Sequence, residues 1–104
     1  MGNLYENSKA YVPKLLEQLP ELTKILEDIG IAERFPTTVN SYIDEFGKFF
    51  PRSDPKRIAA GAIYSVMRRS GISGFQSYIV DQTGVSGNTL RKIARTIDDH
   101  FIPR

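Results

Sequence analysis

The chain has 104 residues, 40% hydrophobic and 25% charged, a composition that is typical of a globular protein and not of a disordered one, and that predicts one domain with a modest core. The absence of cysteine excludes disulfides and thiolate metal sites, and no apolar run approaches the roughly 20 residues needed to cross a bilayer. The net charge is +2, but residues 1–50 hold five basic and eight acidic residues (net −3), whereas residues 51–104 hold nine and four (net +5). The excess of basic residues in the second half is typical of a surface that binds nucleic acid. The alternative interpretation is that these charges lie on solvated helix faces without a binding role.

The N-terminal part shows a helical pattern that prolines interrupt. Residues 1–12 are polar, and we expect them to be flexible. Beyond them, apolar residues recur at the helical steps of four and three: Leu15, Leu19, Leu22, Leu26 and Ile29. Pro13 suits a first helical turn, Pro20 either kinks one long helix or begins a second, and Gly30 is a natural stop. We favour a short first segment and then a helix over about 20–29.

The next helix is predicted over residues 37–50. Thr37 or Thr38 can cap its start. Pro36 precedes it and Pro51 ends it. The apolar positions of its buried face are Val39, Tyr42, Ile43, Phe46 and either Phe49 or Phe50.

A central helix is predicted over residues 55–69. Ser53 or Asp54 can cap its start. Residues 58–67 are apolar or small on nearly every side, which indicates a helix surrounded by other helices. Gly61 would cost roughly 1 kcal/mol in an exposed helix interior, so we expect close packing at this position.

Residues 75–95 carry the pattern of two short helices joined by a tight turn at Gly84. The apolar and turn positions are Ile79, Val80, Thr83, Val85, Leu90, Ile93 and Ala94. The outer face of the second helix carries Ser86, Asn88, Arg91, Lys92 and Arg95. This pattern, extended over 75–100, is typical of a helix-turn-helix, whose second helix fits the major groove of DNA.

Two segments resemble the cyclin-like repeat of the general transcription factor IIB family, which includes archaeal transcription factor B. The family's Pro-x-x-Ile-Ala-Ala-Ala-x-Ile/Leu-Tyr segment is matched by Pro55, Ile58, Ala59, Ala60, Ala62, Ile63 and Tyr64. Its Gly-Val-Ser/Thr-x-x-Thr-Leu/Ile-Arg segment is matched by Gly84, Val85, Ser86, Thr89, Leu90 and Arg91. The resemblance covers about residues 20–104, as one repeat without a Cys/His zinc ribbon.

The resemblance implies an all-α, five-helix cyclin-like domain over 1–104, with a possible short extra helix at the N-terminus. It also implies promoter DNA as the partner, contacted through the helix-turn-helix, and TATA-binding protein and RNA polymerase as further partners. No residue is assigned to either protein partner.

The candidate DNA contacts are Ser86, Gly87, Asn88, Arg91, Lys92 and Arg95. Asn88 has the amide geometry to pair with adenine, and Arg91 can donate to guanine in bidentate fashion. The other polar side chains suit phosphate, and Gly87 lets the backbone approach the DNA. The alternatives are that Ser86 is only an N-cap and that the basic residues form a solvated face.

Arg68 and Arg69, at the end of the central helix, are further candidate phosphate contacts. The alternative is that they are favourable there because positive side chains compensate the negative end of the helix dipole.

Two other functions are consistent with the sequence. The chain can be a protein-interaction module of the transcription machinery that docks through its acidic half, since Val80 stands where a helix-turn-helix usually has a small alanine. It can also be a homodimeric repressor joined along the leucine stripe. We expect a monomeric, intracellular, non-enzymatic protein with no metal and no cofactor, because the one histidine, His100, suits a helix end and no catalytic constellation is signalled.

Overall fold

The computed structural model describes residues 4–50 and 54–101. The α-helices are α1 (Leu4–Glu17), α2 (Pro20–Asp28), α3 (Phe35–Phe46), α4 (Pro55–Arg69), α5 (Gln76–Thr83) and α6 (Gly87–His100). A 3-10 turn, Gly47–Phe49, follows α3. The described ranges contain no strand, and the prediction of an all-helical chain is confirmed. Within these ranges no helix combines the length and the apolar character that crossing a membrane requires.

Helix α4 is the centre of the fold, as the sequence predicts. Every residue from 58 to 67 is buried, and α4 packs against α1, α3, α5 and α6. The Asp54 carboxylate caps its start by accepting the Arg57 N–H at 2.9 Å. Ser53, the other cap candidate, lies outside the described residues. A Cβ added to Gly61 would lie 2.6 Å from Ile93 Cβ, which confirms the close packing expected at this glycine.

The N-terminal helix is longer than predicted. The pattern favours a flexible start over residues 1–12 and a short first segment, whereas α1 runs for 14 residues and includes most of that range. Val12 and Leu15 are buried in the core, and packing of α1 on α4 and α3 stabilises the helix. Pro13 lies inside α1 and not in its first turn, so one backbone donor is missing there. Residues 1–3 lie outside the described ranges.

Helix α2 begins and ends where the sequence indicates. It starts at Pro20, which decides between a kinked long helix and two helices. Gly30 has φ +79° just beyond its end. The Gly30 N–H donates to the Glu27 carbonyl at 3.1 Å, and the Ile31 N–H donates to the Leu26 carbonyl at 2.9 Å. These two bonds form a Schellman motif, which turns the chain towards α3.

Helix α3 begins two residues earlier than predicted. Phe35 is its first residue and is almost fully buried, and Pro36 lies in the first turn, where its missing N–H costs nothing. The cap predicted at Thr37 or Thr38 is wrong: the cap position is Arg34, which makes no side-chain capping bond. The hydroxyl of Thr38 instead donates to the Arg34 carbonyl at 3.0 Å.

The end of α3 also differs from the single helix predicted over 37–50. The α-helix stops at Phe46 and the chain continues as the 3-10 turn. Phe49 is 42% exposed and Phe50 is half-buried, so Phe50 is the phenylalanine that packs inward. Pro51 lies outside the described residues. The other predicted positions of the buried face lie in the core or at its edge: Val39, Tyr42, Ile43 and Phe46.

Candidate nucleic-acid interface

The turn between α5 and α6 is held by a small set of local bonds. Gly84 has φ +77°, a conformation that other residues adopt only with strain, and its N–H donates to the Val80 carbonyl at 2.9 Å. The Thr83 hydroxyl donates to the Ile79 carbonyl at 2.7 Å and accepts the Val85 N–H at 3.2 Å. Val85 and Ile79 are buried, whereas Val80 is only half-buried. The turn therefore fixes the direction in which α6 leaves α5.

Helix α6 has one buried side and one exposed side. The Ser86 hydroxyl caps its start by accepting the Thr89 N–H at 3.2 Å. The buried residues repeat at helical spacing and pack on α4 and α3: Leu90, Ile93, Ala94 and Ile97. The opposite side consequently faces solvent along the length of the helix.

The structure places the polar candidate residues on this exposed side. Exposed side chains are Ser86, Asn88, Arg91, Lys92 and Arg95, and Gly87 is half-buried. An open depression over α6 is lined by Asn88, Arg91, Lys92 and Arg95. Three cations therefore lie together on the solvent side of one helix.

Asn88 and Arg91 are coupled to each other. An Arg91 guanidinium N–H donates to the Asn88 side-chain oxygen. A bidentate pair with adenine needs both ends of the Asn88 amide, and a bidentate pair with guanine needs two guanidinium donors. The intramolecular bond uses one of the five Arg91 donors and one of the two lone pairs of the Asn88 oxygen, so both side chains retain hydrogen-bonding capacity for bases.

The two arginines at the end of α4 occupy different environments. Arg68 lies above the Tyr64 ring, 5.6 Å from its centroid. It lines a groove of about 470 Å³ that also contains Arg91 and Arg95, with Asp98 and Asp99 at its acidic side. Arg68 thus extends the basic surface of α6 onto α4.

Arg69 is bound within the protein. Its guanidinium donates to the Asp98 carboxylate at 2.7 Å and lies 3.8 Å from the centroid of the Phe101 ring. Arg68 is 4.0 Å from the same carboxylate, a much looser contact. Of the two candidate phosphate contacts, Arg68 is brought to the basic surface and Arg69 is held at the end of α6.

Sequence reasoning missed Gln76, the first residue of α5. Its side-chain oxygen accepts the Tyr64 hydroxyl at 3.0 Å. Its nitrogen lies 2.6 Å from the position that a Cβ on Gly87 would take. The signal in the sequence is Gly87 itself, because a glycine at the start of a helix can indicate a neighbour that leaves no room for a side chain.

The single histidine lies at the end of α6. His100 Nδ1 is 2.9 Å from the Thr96 carbonyl, and its ring stacks on Phe49 with 3.7 Å between the centroids. Within residues 4–50 and 54–101, no group of three or more His, Cys, Asp or Glu side chains is arranged to hold a metal ion.

Comparisons with protein-family models, with curated proteins and with solved structures gave no match to this chain.

Proposed function

We propose that this chain is a double-stranded DNA-binding domain in which α5 and α6 form a helix-turn-helix and α6 enters the major groove. The observation that carries the proposal is the exposed row of Arg91, Lys92 and Arg95 on the side of α6 opposite its buried face. A helix held by its apolar side against a central helix can present the other side to a groove without rearrangement.

In this proposal the residues near the start of α6 contact bases and the remaining cations contact phosphates. Asn88 and Arg91 bind base edges with the hydrogen-bonding capacity that their mutual bond leaves. Lys92 and Arg95 neutralise phosphates along one side of the groove, and Arg68 reaches the backbone from α4. The capping hydroxyl of Ser86 accepts the Thr89 N–H, lies 3.0 Å from the Thr89 hydroxyl and turns its own proton to a phosphate oxygen when DNA binds.

The resemblance to transcription factor IIB extends the proposal to a cyclin-like promoter-recognition domain. In that case the chain acts as a monomer beside TATA-binding protein and RNA polymerase. The activity proposed is binding and not catalysis. No residue of this chain is assigned to either protein partner.

The proposal is tested by selecting binding sites from a random duplex library at two salt concentrations. We expect an enriched sequence, and we expect affinity to fall with salt, with a log–log slope of about −0.9 for each phosphate contacted. Recovery of no duplex at low salt would contradict the proposal.

Two substitutions separate base contacts from phosphate contacts. Arg91→Ala is expected to cost roughly 1–3 kcal/mol on the selected sequence and to relax the base preference. Arg95→Ala is expected to weaken all duplexes alike and to make the salt slope shallower by about 1. Lys24→Ala, at an exposed position of α2, is the matched control and is expected to leave binding unchanged. Tight binding unaffected by both arginine substitutions would reject this assignment.

A further inference from the structure

Tyr64 orients the side chain of Gln76. Tyr64 is a buried residue of α4, 8% exposed, and its hydroxyl donates to the Gln76 side-chain oxygen at 3.0 Å. This bond uses the acceptor end of the carboxamide. The donor end, Nε2, is consequently directed away from Tyr64.

The donor end of Gln76 lies beside the start of α6, next to Arg91. A Cβ on Gly87 would be 2.6 Å from Gln76 Nε2 and 3.2 Å from an Arg91 guanidinium nitrogen. Two hydrogen-bond donors therefore flank Gly87, where a larger residue would displace one of them. Among the residues that the structure describes, no acceptor takes the Nε2 hydrogens of Gln76.

The surface on either side of these donors is cationic or polar. One groove contains Gln76 together with Arg68, Ser73 and Ser77. The adjoining groove contains Arg68 with Arg91 and Arg95, and the carboxylates of Asp98 and Asp99 line its other part. Tyr64 lines both grooves, so they share a boundary. The row of donors thus runs from α6 across Gly87 to the start of α5.

We propose that Gln76 is a phosphate-binding residue of the DNA interface and that Tyr64 is the residue that positions it. A backbone phosphate lies over Gly87 and accepts from Gln76 Nε2, beside the Arg91 side chain that reaches the bases, and the strand continues towards Arg68. Phosphate oxygens accept hydrogen bonds and donate none, which matches the two donors that flank Gly87. This inference rests on the proposed function, because it specifies how the same surface holds the DNA backbone.

The test measures affinity for the selected duplex over a range of salt concentrations. Gln76→Ala is expected to weaken binding about tenfold on every duplex alike, because a hydrogen bond to a charged group is lost. The slope of affinity against salt should not change, because a neutral amide releases no counterion. Arg68→Ala, in contrast, should make the slope shallower by about 0.9. Gln18→Ala, at an exposed position between α1 and α2, is the matched control with wild-type affinity.

Two further variants test the positioning role. Tyr64→Phe removes only the hydroxyl, and Gly87→Ala forces Gln76 Nε2 away, so each should weaken binding severalfold. Tyr64→Phe should have no further effect in a Gln76→Ala background, whereas general damage to the fold would add to the loss. Thermal unfolding of each variant establishes that the domain remains folded.

The outcomes are distinguishable. If the wild type binds duplex and Arg91→Ala weakens it, but Gln76→Ala binds as the wild type does, the role of Gln76 is rejected and the proposed function stands. A loss confined to one base sequence would also reject the phosphate role, because it would indicate a base contact. A wild-type chain that binds no duplex overturns both proposals.

Discussion

Gly61 determines how closely α6 packs on α4. It lies in α4 where an added Cβ would be 2.6 Å from Ile93 Cβ and 2.7 Å from two further Ile93 side-chain atoms. Ile93 belongs to the buried side of α6, so the absence of a side chain at position 61 sets how deeply α6 is seated.

Gly61→Ala is expected to lower the free energy of unfolding by about 1–3 kcal/mol, because overpacking outweighs the roughly 1 kcal/mol that alanine contributes to helix propensity. Urea denaturation measures the change. The double variant with Gly61→Ala and Ile93→Ala should lose less free energy of unfolding than the two single variants lose in sum, since the residues are in contact. A Gly61→Ala chain more stable than the wild type would show that α6 is not packed this closely.

Tyr42, which packs against the cluster of Phe46, Ile93 and Ile97, carries a pH dependence. Its ring packs against Phe46, with 5.7 Å between the centroids, and burial raises the pKa of Tyr42 above its ordinary value of 10.0. Because the pKa is higher in the folded chain, the stabilisation is fully present below about pH 10 and is lost as the pH rises through the folded value. Wild-type stability should therefore fall more steeply above about pH 10 than that of Tyr42→Phe. Thermal unfolding at several alkaline pH values measures this difference. Parallel curves of stability against pH for the wild type and Tyr42→Phe would contradict the prediction.

Helices α4 and α6 both begin with a side-chain N-cap. Comparing the two caps distinguishes a structural role of Ser86 from a role in DNA binding. The Asp54 carboxylate accepts the Arg57 N–H, and the Ser86 hydroxyl accepts the Thr89 N–H. The cap of α6 lies beside the candidate base contacts Asn88 and Arg91, whereas the cap of α4 lies at the opposite end of that helix from Arg68. Asp54 is therefore a control for Ser86.

Asp54→Ala and Ser86→Ala are each expected to cost about 1 kcal/mol of stability, because each leaves a first-turn N–H without its partner. Only Ser86→Ala should also weaken duplex binding. Denaturation and duplex titration on both variants make the comparison. Equal duplex affinity of the two variants would show that Ser86 acts only as an N-cap.

For the whole molecule, the leucine stripe belongs to the core of one chain. Four of its residues are at most 2% exposed: Leu15, Leu19, Leu22 and Leu26. Ile29, the last position of the stripe, is 51% exposed. A dimer joined along these leucines would require them to leave the core of each chain. The homodimeric repressor alternative therefore lacks the exposed apolar surface that it needs.

We therefore expect a monomer in sedimentation at micromolar concentration. Leu22→Ala should cost about 2–5 kcal/mol of stability without changing the sedimenting mass, because the leucine fills the core and not a dimer seam. Ile29→Ala should change stability by no more than about 0.5 kcal/mol. A wild-type dimer that Leu22→Ala converts to monomer would restore the repressor alternative.

Local sequence was sufficient wherever short-range bonds determine the structure. The bounds of α4, the start of α2 and the turns at Gly30 and Gly84 follow from caps, prolines and glycines that act within a few residues. The exposed outer side of α6 follows from the same helical spacing that buries its inner side.

Tertiary packing decided what depends on residues distant in the sequence. The length of α1 and the early start of α3 depend on burying Val12 and Phe35 in the shared core, which no local signal shows. The separation of Arg68 from Arg69 and the place of Gln76 over Gly87 depend on how α4, α5 and α6 meet. The periodicity of one helix determines which of its sides is apolar, and only the packing of several helices determines which side chains become neighbours.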